Sequence, residues 1–509
     1  MLQKNVLEYL DASAARCGDK TAFTDETTSV TFAQMRDQAR RLGTFLAKTV
    51  QGVNGPVAVF IDRTACTLTA MQAVLYSGNY YVPVDNKMPE ARMRKILGQI
   101  HAKALLYAQA DEAQALALAD CCLPVSMEAG FAAEADDALL ENRRGQILDV
   151  DPVYAIFTSG STGAPKGIVV SHRSVIDFTE WMTEFCGYTE QEVFANQAPF
   201  YFDLSVKDVY QTLKLGATCH IFSKKLFLFP LLLVRQLEEK QVTALNWATS
   251  AFHLAASSGA LDKCQPSSVK KAALGGEALQ AKHVNAWRKA LPELHVINLY
   301  GPTEVTVDCT GYHLDRDFAD DEPIPLGTAC ANKQILLLDS DLKPVAPGES
   351  GEICVRGSGL ANGYFGDWDK TNAAFVQNPL NPNYPDRIYR TGDMAVERDG
   401  LLYFLARKDG QIKHMGYRIE LGEIEVALHS IPEIRAAACL YDGARDRIVC
   451  VYAGDLDSNG LAKAMRSIVP KYMLPNVYVQ LEQLPYNANG KVDRVYLKEQ
   501  YIHGAGGTV

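Results

Sequence analysis

No two of the 12 cysteines in this 509-residue chain stand in a C-x-x-C pair, and the adjacent Cys121-Cys122 has no histidine near it. That absence argues against a zinc ribbon and against a disulfide framework, and leaves reduced, mostly structural thiols. Long apolar runs are missing too. The longest, residues 226–234, contains Pro230 and is about half the length needed to span a bilayer, so it reads as a buried core segment or an interfacial patch, not a membrane insertion. The first eight residues resemble the start of an amphipathic helix and lack both an apolar stretch and a small-residue cleavage site, which predicts a cytoplasmic chain. Positive charge is in deficit, 50 Lys and Arg against 60 Asp and Glu for a net charge of −10, so there is no basic footprint for nucleic acid. Small molecules and other proteins remain as partners. No internal repeat or low-complexity tract occurs, and the glycine-rich tail, residues 504–509, is punctuation.

What is present is material for more than one core, with 48% hydrophobic residues in a chain longer than a single core supports. Phe32, Met35, Ala39, Leu42 and Leu46 recur at helical spacing, residues 57–61 form a short β run, and residues 67–77 are helical again. This alternation predicts an α/β fold with mostly parallel sheets. Residues 78–85 read as scaffold, and the acidic, alanine-rich residues 128–141 as a solvated excursion without chemistry. Asp399-Gly400 predicts a tight hairpin. Beyond it the last hundred residues form a small α+β unit.

The most informative stretch is Phe157-Thr158-Ser159-Gly160-Ser161-Thr162-Gly163-Ala164-Pro165-Lys166-Gly167. It follows an apolar, β-rich run at 153–157, where α/β folds place ligands at strand ends. Thr158, Ser159, Ser161 and Thr162 supply hydroxyl donors, the glycines allow backbone amides close to phosphate oxygens, and Lys166 adds charge. A Walker loop needs Gly-Lys-Ser/Thr, and here Pro165 precedes the lysine and Gly167 follows it. The segment reads as a different polyphosphate loop, one suited to ATP.

Four further motifs follow in order: Tyr300-Gly301-Pro302-Thr303-Glu304, Tyr389-Arg390-Thr391-Gly392-Asp393, Gly416-Tyr417-Arg418-Ile419-Glu420 and Asn489-Gly490-Lys491-Val492-Asp493-Arg494. With the phosphate loop, their order and spacing resemble the adenylate-forming enzymes, the superfamily of acyl-CoA synthetases, luciferases and nonribosomal peptide synthetase adenylation domains. The resemblance covers nearly the whole chain. It implies a large N-terminal domain of mixed and parallel sheets with helices, residues 1–405, a hinge at 406–410 centred on Asp409, and a small mobile α+β domain, residues 411–509. Ala406, where the family usually has glycine, departs from the hinge pattern.

The same resemblance assigns roles residue by residue. Lys491 takes the catalytic lysine position, touching substrate carboxylate and α-phosphate; Thr303 contacts the α-phosphate and Glu304 helps hold Mg²⁺. Thr158, Ser159, Gly160, Ser161, Thr162 and Lys166 bind phosphates, with Gly276, Glu277 and Gly301 on the nucleotide side. Tyr300 stacks on adenine, Asn298 bonds its edge, and Asp393 with Arg407 takes the ribose.

Asp203 is the pivot for substrate choice. In amino-acid-activating relatives an aspartate here pairs with the α-ammonium; the competing reading makes Asp203 an N-cap for a helix beginning at Leu204. Leu204, Lys207, Asn246, Ala273, Gly275, Leu299, Val307 and Asp308 are carried over as the rest of the pocket, with Lys207 four residues from Asp203 and so on its helical face. Overall similarity is greatest to stand-alone D-alanine carrier-protein ligases, from which Lys207 and Gly275 depart toward a more polar, roomier pocket. The resemblance implies adenylation of an amino acid with a small or polar side chain by ATP and Mg²⁺, followed by thioester loading of phosphopantetheine on a separate carrier protein, since no Gly-Gly-x-Ser site follows. The alternatives are a D-alanine carrier-protein ligase of cell-wall modification, an acyl- or aryl-CoA synthetase, and a silent nucleotide-binding scaffold.

Overall fold

The structure, a computed structural model, describes residues 3–159, 165–408, 411–485 and 492–503. It divides into two compact units, one of Met1–Asn86, Leu97–Ile156 and Gly167–Lys408, the other of Lys87–Ile96, Phe157–Lys166 and Asp409–Val509. Two short stretches early in the chain thus group with the C-terminal residues.

Three sheets carry the first part of the chain. In the nine-stranded sheet, the strands Thr21–Thr24, Thr218–Ile221, Val193–Asn196, Ala244–Ala248, Lys271–Gly275 and His295–Tyr300 lie side by side and parallel, with antiparallel strands at both edges. A seven-stranded sheet has Pro56–Ile61, Tyr80–Asp85, Ala104–Tyr107 and Leu123–Ser126 in parallel. A third, antiparallel sheet of five strands includes Lys333–Leu338, Ser350–Gly357 and Arg387–Arg398. One continuous core joins all three, with Tyr81, Phe194, Tyr210, Leu299 and Tyr389 in it. Pro56–Ile61 and Ala104–Tyr107, buried along their whole length, read as unbroken apolar runs, as parallel sheets favour.

Local signals placed these elements well. The helix Phe32–Thr49 buries Phe32, Met35, Ala39, Leu42 and Leu46 and starts with a capping box at Thr31 and Gln34. The strands Arg387–Arg398 and Leu401–Arg407 pair through a two-residue turn in which Asp399 and Gly400 both have positive φ, 52° and 76°. That geometry matches the right-handed twist of the strands it joins. Residues 128–141 are mostly solvated, as expected, but are not without structure. Two short helices, Met127–Phe131 and Asp137–Gly145, occupy them, and Met127, Gly130 and Leu140 are buried. A few apolar side chains among many charges were enough to dock the segment. The apolar run at 226–234 splits: Leu233 and Val234 are buried in the helix Pro230–Glu239, while Leu228 and Phe229 are exposed.

In the C-terminal residues, Gln411–His414 pairs with Tyr417–Glu420, and Ile434–Asp442, Arg447–Gly454 and Val477–Gln480 form a separate three-stranded sheet. Their own core gathers Ile419, Ile424, Leu428, Cys439 and Tyr452. Among the described residues no helix is long and apolar enough to cross a membrane.

Candidate active site

From Val193–Asn196 the chain moves to Thr218–Ile221 on one side, then returns to Ala244–Ala248 on the other. Ligands of open α/β sheets collect beyond the carboxyl ends of the strands at such a switch point. The helix Leu204–Leu215 runs there, and Ser205 to Leu213 along it are all buried. Three charged residues in or beside so dry a segment, Asp203, Lys207 and Asp208, each need a reason.

Asp208 finds its partners across the switch point. Its carboxylate accepts from Asn196 Nδ2 and Asn246 Nδ2, both at 3.0 Å, while Asn246 Oδ1 accepts from the Tyr188 hydroxyl at 2.7 Å and Asn196 Oδ1 from Arg63 at 3.1 Å. Burial pushes the Asp208 carboxyl up to about 7 against the pull of those amides, Lys207 and Arg63. Asn246, assigned to the pocket wall by resemblance, therefore has both ends of its side chain committed to this network. Asp208 itself was missed. The signal that could have found it is a carboxylate inside a run of helix with no solvent-facing stripe.

Asp203 stands at the head of the helix with φ −64° and ψ −24°, and its side chain caps nothing. It is buried and raised to about 6 chiefly by burial, with Asp308 and Glu304 adding to the rise and the nearby Thr303 and Lys207 opposing it. A buried carboxylate held without a full counter-charge is arranged to meet a cation.

One turn along, Lys207 Nζ lies 2.8 Å from Asp308 Oδ2, with the two side chains 0% and 3% exposed. Among the described residues neither atom has a hydrogen-bond partner; attraction between charges follows distance, so the pair stands. A Cβ at Gly275 would come within 3.4 Å of both Asp308 Oδ1 and Lys207 Nζ and 3.0 Å of the Leu299 carbonyl, so the pair closes over this glycine. Ala273, Leu299 and Val307 are buried beside it and Leu204 is half-buried.

The residues that the resemblance gives to the nucleotide gather on His295–Tyr300 and the third sheet. The Tyr300 hydroxyl donates to Asp393 Oδ2 and Arg407 to Asp393 Oδ1, both at 2.6 Å, and Arg407 also donates to the Thr391 carbonyl at 3.2 Å. Burial, then the Asp393 charge, raises the Tyr300 phenol well above its ordinary value, so it stays a donor. Asn298 Nδ2 donates to the Pro325 carbonyl at 2.7 Å. Gly276 has φ 98°, and the Glu277 amide donates to Thr249 at 3.1 Å. At Gly301 a Cβ would fall 2.5 Å from the Val307 carbonyl and the Asp308 Cα, so glycine alone allows the chain to fold back and bring Asp308 to Lys207.

Glu304 lies in the single turn Thr303–Val305, fully buried, its Oε1 accepting from the Tyr364 hydroxyl at 2.9 Å. Among the described residues no three His, Cys, Asp or Glu side chains gather to hold a metal. The single buried Glu304 carboxylate fits Mg²⁺, which keeps water and phosphate oxygens and asks for one or two carboxylates.

Thr158 closes the strand Pro152–Thr158, and its hydroxyl is buried with no hydrogen-bond partner among the described residues. The Ser159 hydroxyl donates to the Arg418 carbonyl at 2.8 Å and accepts from the Glu420 amide at 3.1 Å, which ties it to the Tyr417–Glu420 strand. Lys166 opens Lys166–Ser171. Gly160, Ser161, Thr162, Asp409 and Lys491 lie outside the described residues.

Comparison with known proteins agrees with this geometry. The family model "AMP-binding enzyme" matches residues 10–365, more than half of the chain. Tyrocidine synthase 3 of Brevibacillus parabrevis is 32% identical over 97% of this chain, which spans only 8% of that synthase. The D-alanine–D-alanyl carrier protein ligase of Bacillus licheniformis is 30% identical, with 97% of this chain and 99% of the ligase covered. Among solved structures, holo-PA1221, a nonribosomal peptide synthetase protein containing adenylation and carrier domains, superposes with a TM-score of 0.82 at 27% identity over 97% of this chain and 84% of that one. On the family match over residues 10–365 and the full-length relationship to the carrier-protein ligase, the chain belongs to the AMP-binding enzymes, the ATP-dependent, AMP-forming adenylating family to which carrier-protein ligases and peptide synthetase adenylation domains also belong.

Proposed function

We propose that this enzyme activates a free amino acid with a small or polar side chain as its adenylate and passes the aminoacyl group to a phosphopantetheine thiol on a separate carrier protein. The observation that carries the reading is Asp203, buried, close to Thr303 and capping nothing. An α-ammonium is the partner such a carboxylate lacks; a fatty or aryl acid would leave it unpaired. The Lys207–Asp308 pair beyond Gly275 favours a side chain that is short or carries polar atoms. Kinship with a D-alanine ligase keeps D-alanine among the candidates.

In the first half-reaction a substrate carboxylate oxygen attacks the α-phosphorus, the bond to the β-phosphate bridge breaks, and pyrophosphate leaves. Asp203 fixes the ammonium, so the carboxylate meets the phosphorus at a defined angle. Thr303 is assigned the α-phosphate, and Lys491 the charge on the attacking and phosphoryl oxygens. Glu304 would hold Mg²⁺, which when bound offsets the negative charge of the triphosphate. Asp393, presented by Tyr300 and Arg407, accepts from the ribose diol, and Asn298 meets the adenine edge. In the second half-reaction a thiolate attacks the acyl carbon and AMP leaves.

Amino-acid-dependent exchange of labelled pyrophosphate into ATP, run across L- and D-amino acids and simple carboxylic acids, tests the proposal. Strong exchange with one amino acid, lost in Asp203→Ala, is the expected result. Exchange only with acids lacking an α-amino group would reassign the enzyme to the acyl-CoA synthetases.

A further inference from the structure

A buried lysine outside the chemistry described so far sits beneath the loop that carries Asp308. Lys333 opens the strand Lys333–Leu338 of the five-stranded sheet, opposite Gly357. Its residue is 9% exposed, and its ammonium donates to the Val305 carbonyl at 3.0 Å and the Asp308 carbonyl at 2.5 Å, 5.5 Å from the centre of the Phe178 ring. Those two carbonyls bracket Thr306 and Val307, whose φ values of 61° and 67° put two successive β-branched residues in the left-handed region. Such residues rest there only when the surroundings hold them. The surroundings are built for it: a Cβ at Gly359 would fall 2.2 Å from Lys333 Cε, so glycine clears a path for the lysine stem, and the Gly359 carbonyl accepts from the Thr306 hydroxyl at 2.8 Å.

We propose that Lys333 is a positioning residue for substrate recognition, a clamp that holds the 305–308 turn in its strained form and so sets the place of Asp308. Asp308 sits between two lysines, its carbonyl on Lys333 and its carboxylate beside Lys207. Without the ammonium, Thr306 and Val307 relax toward negative φ, Asp308 turns away, and Lys207 loses its counter-charge at the substrate end of the site. Glu304, before the strained pair, keeps its own anchor in Tyr364, so the nucleotide side is spared. The proposal rests on the reading of Asp203, Lys207 and Asp308 as an amino-acid pocket.

Lys333→Met, which keeps volume and removes charge, tests it by two readouts on the full chain. The first is hydrogen exchange at the amides of Val305, Asp308 and Cys309, which donate to Pro302, Thr306 and Tyr300; at least tenfold faster exchange is expected. The second is pyrophosphate exchange, where the amino-acid KM rises about tenfold while kcat and the KM for ATP move less than threefold. In a Thr306→Gly background, where the strain is already relieved, the Lys333→Met effect on KM shrinks, because residues acting through one loop are not additive. Unchanged amide exchange, or an amino-acid KM within twofold of the parent, overturns the clamp, as does an equal rise in the KM for ATP. A wild-type enzyme with no amino-acid-dependent exchange would sink the functional reading alone, since amide exchange still decides the clamp. If Lys333→Met does not fold, Lys333→Gln goes through the same measurements.

Discussion

Lys207 and Asp308 form an ion pair, Nζ to Oδ2 at 2.8 Å, in which both side chains are shut off from solvent and neither charged atom has a hydrogen bond among the described residues to relieve it. At that depth the mutual attraction and the loss of hydration are large and opposed, and their difference is small. The pair is therefore weak as a source of stability and strong as a constraint. Either charge alone is intolerable in its place, and together they leave a polar end wall beside Asp203.

Lys207→Met strands the Asp308 carboxylate, and a loss of about 3–5 kcal/mol is expected in urea unfolding. Replacing both partners, Lys207→Met with Asp308→Leu, restores most of it while abolishing substrate selectivity. A single variant as stable as the parent would show that the pair is not charged in the folded protein.

Asp203 gives a pH signature. With its carboxyl raised to about 6, it is neutral below that pH and charged above, so kcat/KM for the amino acid should climb as pH rises through about 6 and then level off. Stability runs the other way. The folded state holds this proton where the unfolded chain has lost it, so between about 4 and 6 this group's contribution falls as pH rises. Asp203→Asn should thus gain stability at pH 8 relative to the parent, a gain that fades toward pH 4, while losing about 100-fold or more in amino-acid-dependent exchange. Opposite trends in thermal melts across that range would disprove the assignment.

Tyr300→Phe removes the 2.6 Å bond to Asp393 and leaves Arg407 in place. A hydrogen bond to a charged group is worth about 1.5–3 kcal/mol, so the KM for ATP should rise about tenfold or more with the amino-acid KM little changed. Titration with ATP in the absence of amino acid checks this directly.

Lys491→Ala should sharply reduce adenylate formation and leave thioester transfer from supplied adenylate largely intact. Quenched-flow measurement of the two half-reactions separates them, and equal loss in both would remove the role assigned to Lys491.

Gly400→Ala tests the hairpin alone. Gly400 has φ 76°, and a Cβ there would meet nothing within 4 Å, so any loss comes from the backbone. About 1 kcal/mol of destabilisation with unaltered exchange kinetics is expected.

Much of this was legible in the sequence where the physics is local. Phe32 to Leu46 read as a helix because its period is fixed by neighbours in the chain, and Asp399-Gly400 read as a turn because positive φ at both positions leaves few other residues to choose from. Asp203 could be read either as a substrate carboxylate or as a helix cap, and the cap was set aside only when its side chain was seen to cap nothing. The segment at 128–141 misled, since charge dominates its composition while Met127 and Leu140 do the docking.

By itself the sequence determined the family, the order of the motifs and the identity of the groups available for chemistry, because these depend on residue type and spacing. Tertiary structure alone decided which of those groups meet. Asp208 is satisfied by asparagines from two different strands, Lys207 by an aspartate that the fold-back at Gly301 delivers, and the Asp308 carbonyl by a lysine from another sheet. Those pairings join residues far apart in the chain, and what selects them is the requirement that every charge carried into a dry core find an opposite charge or a donor there.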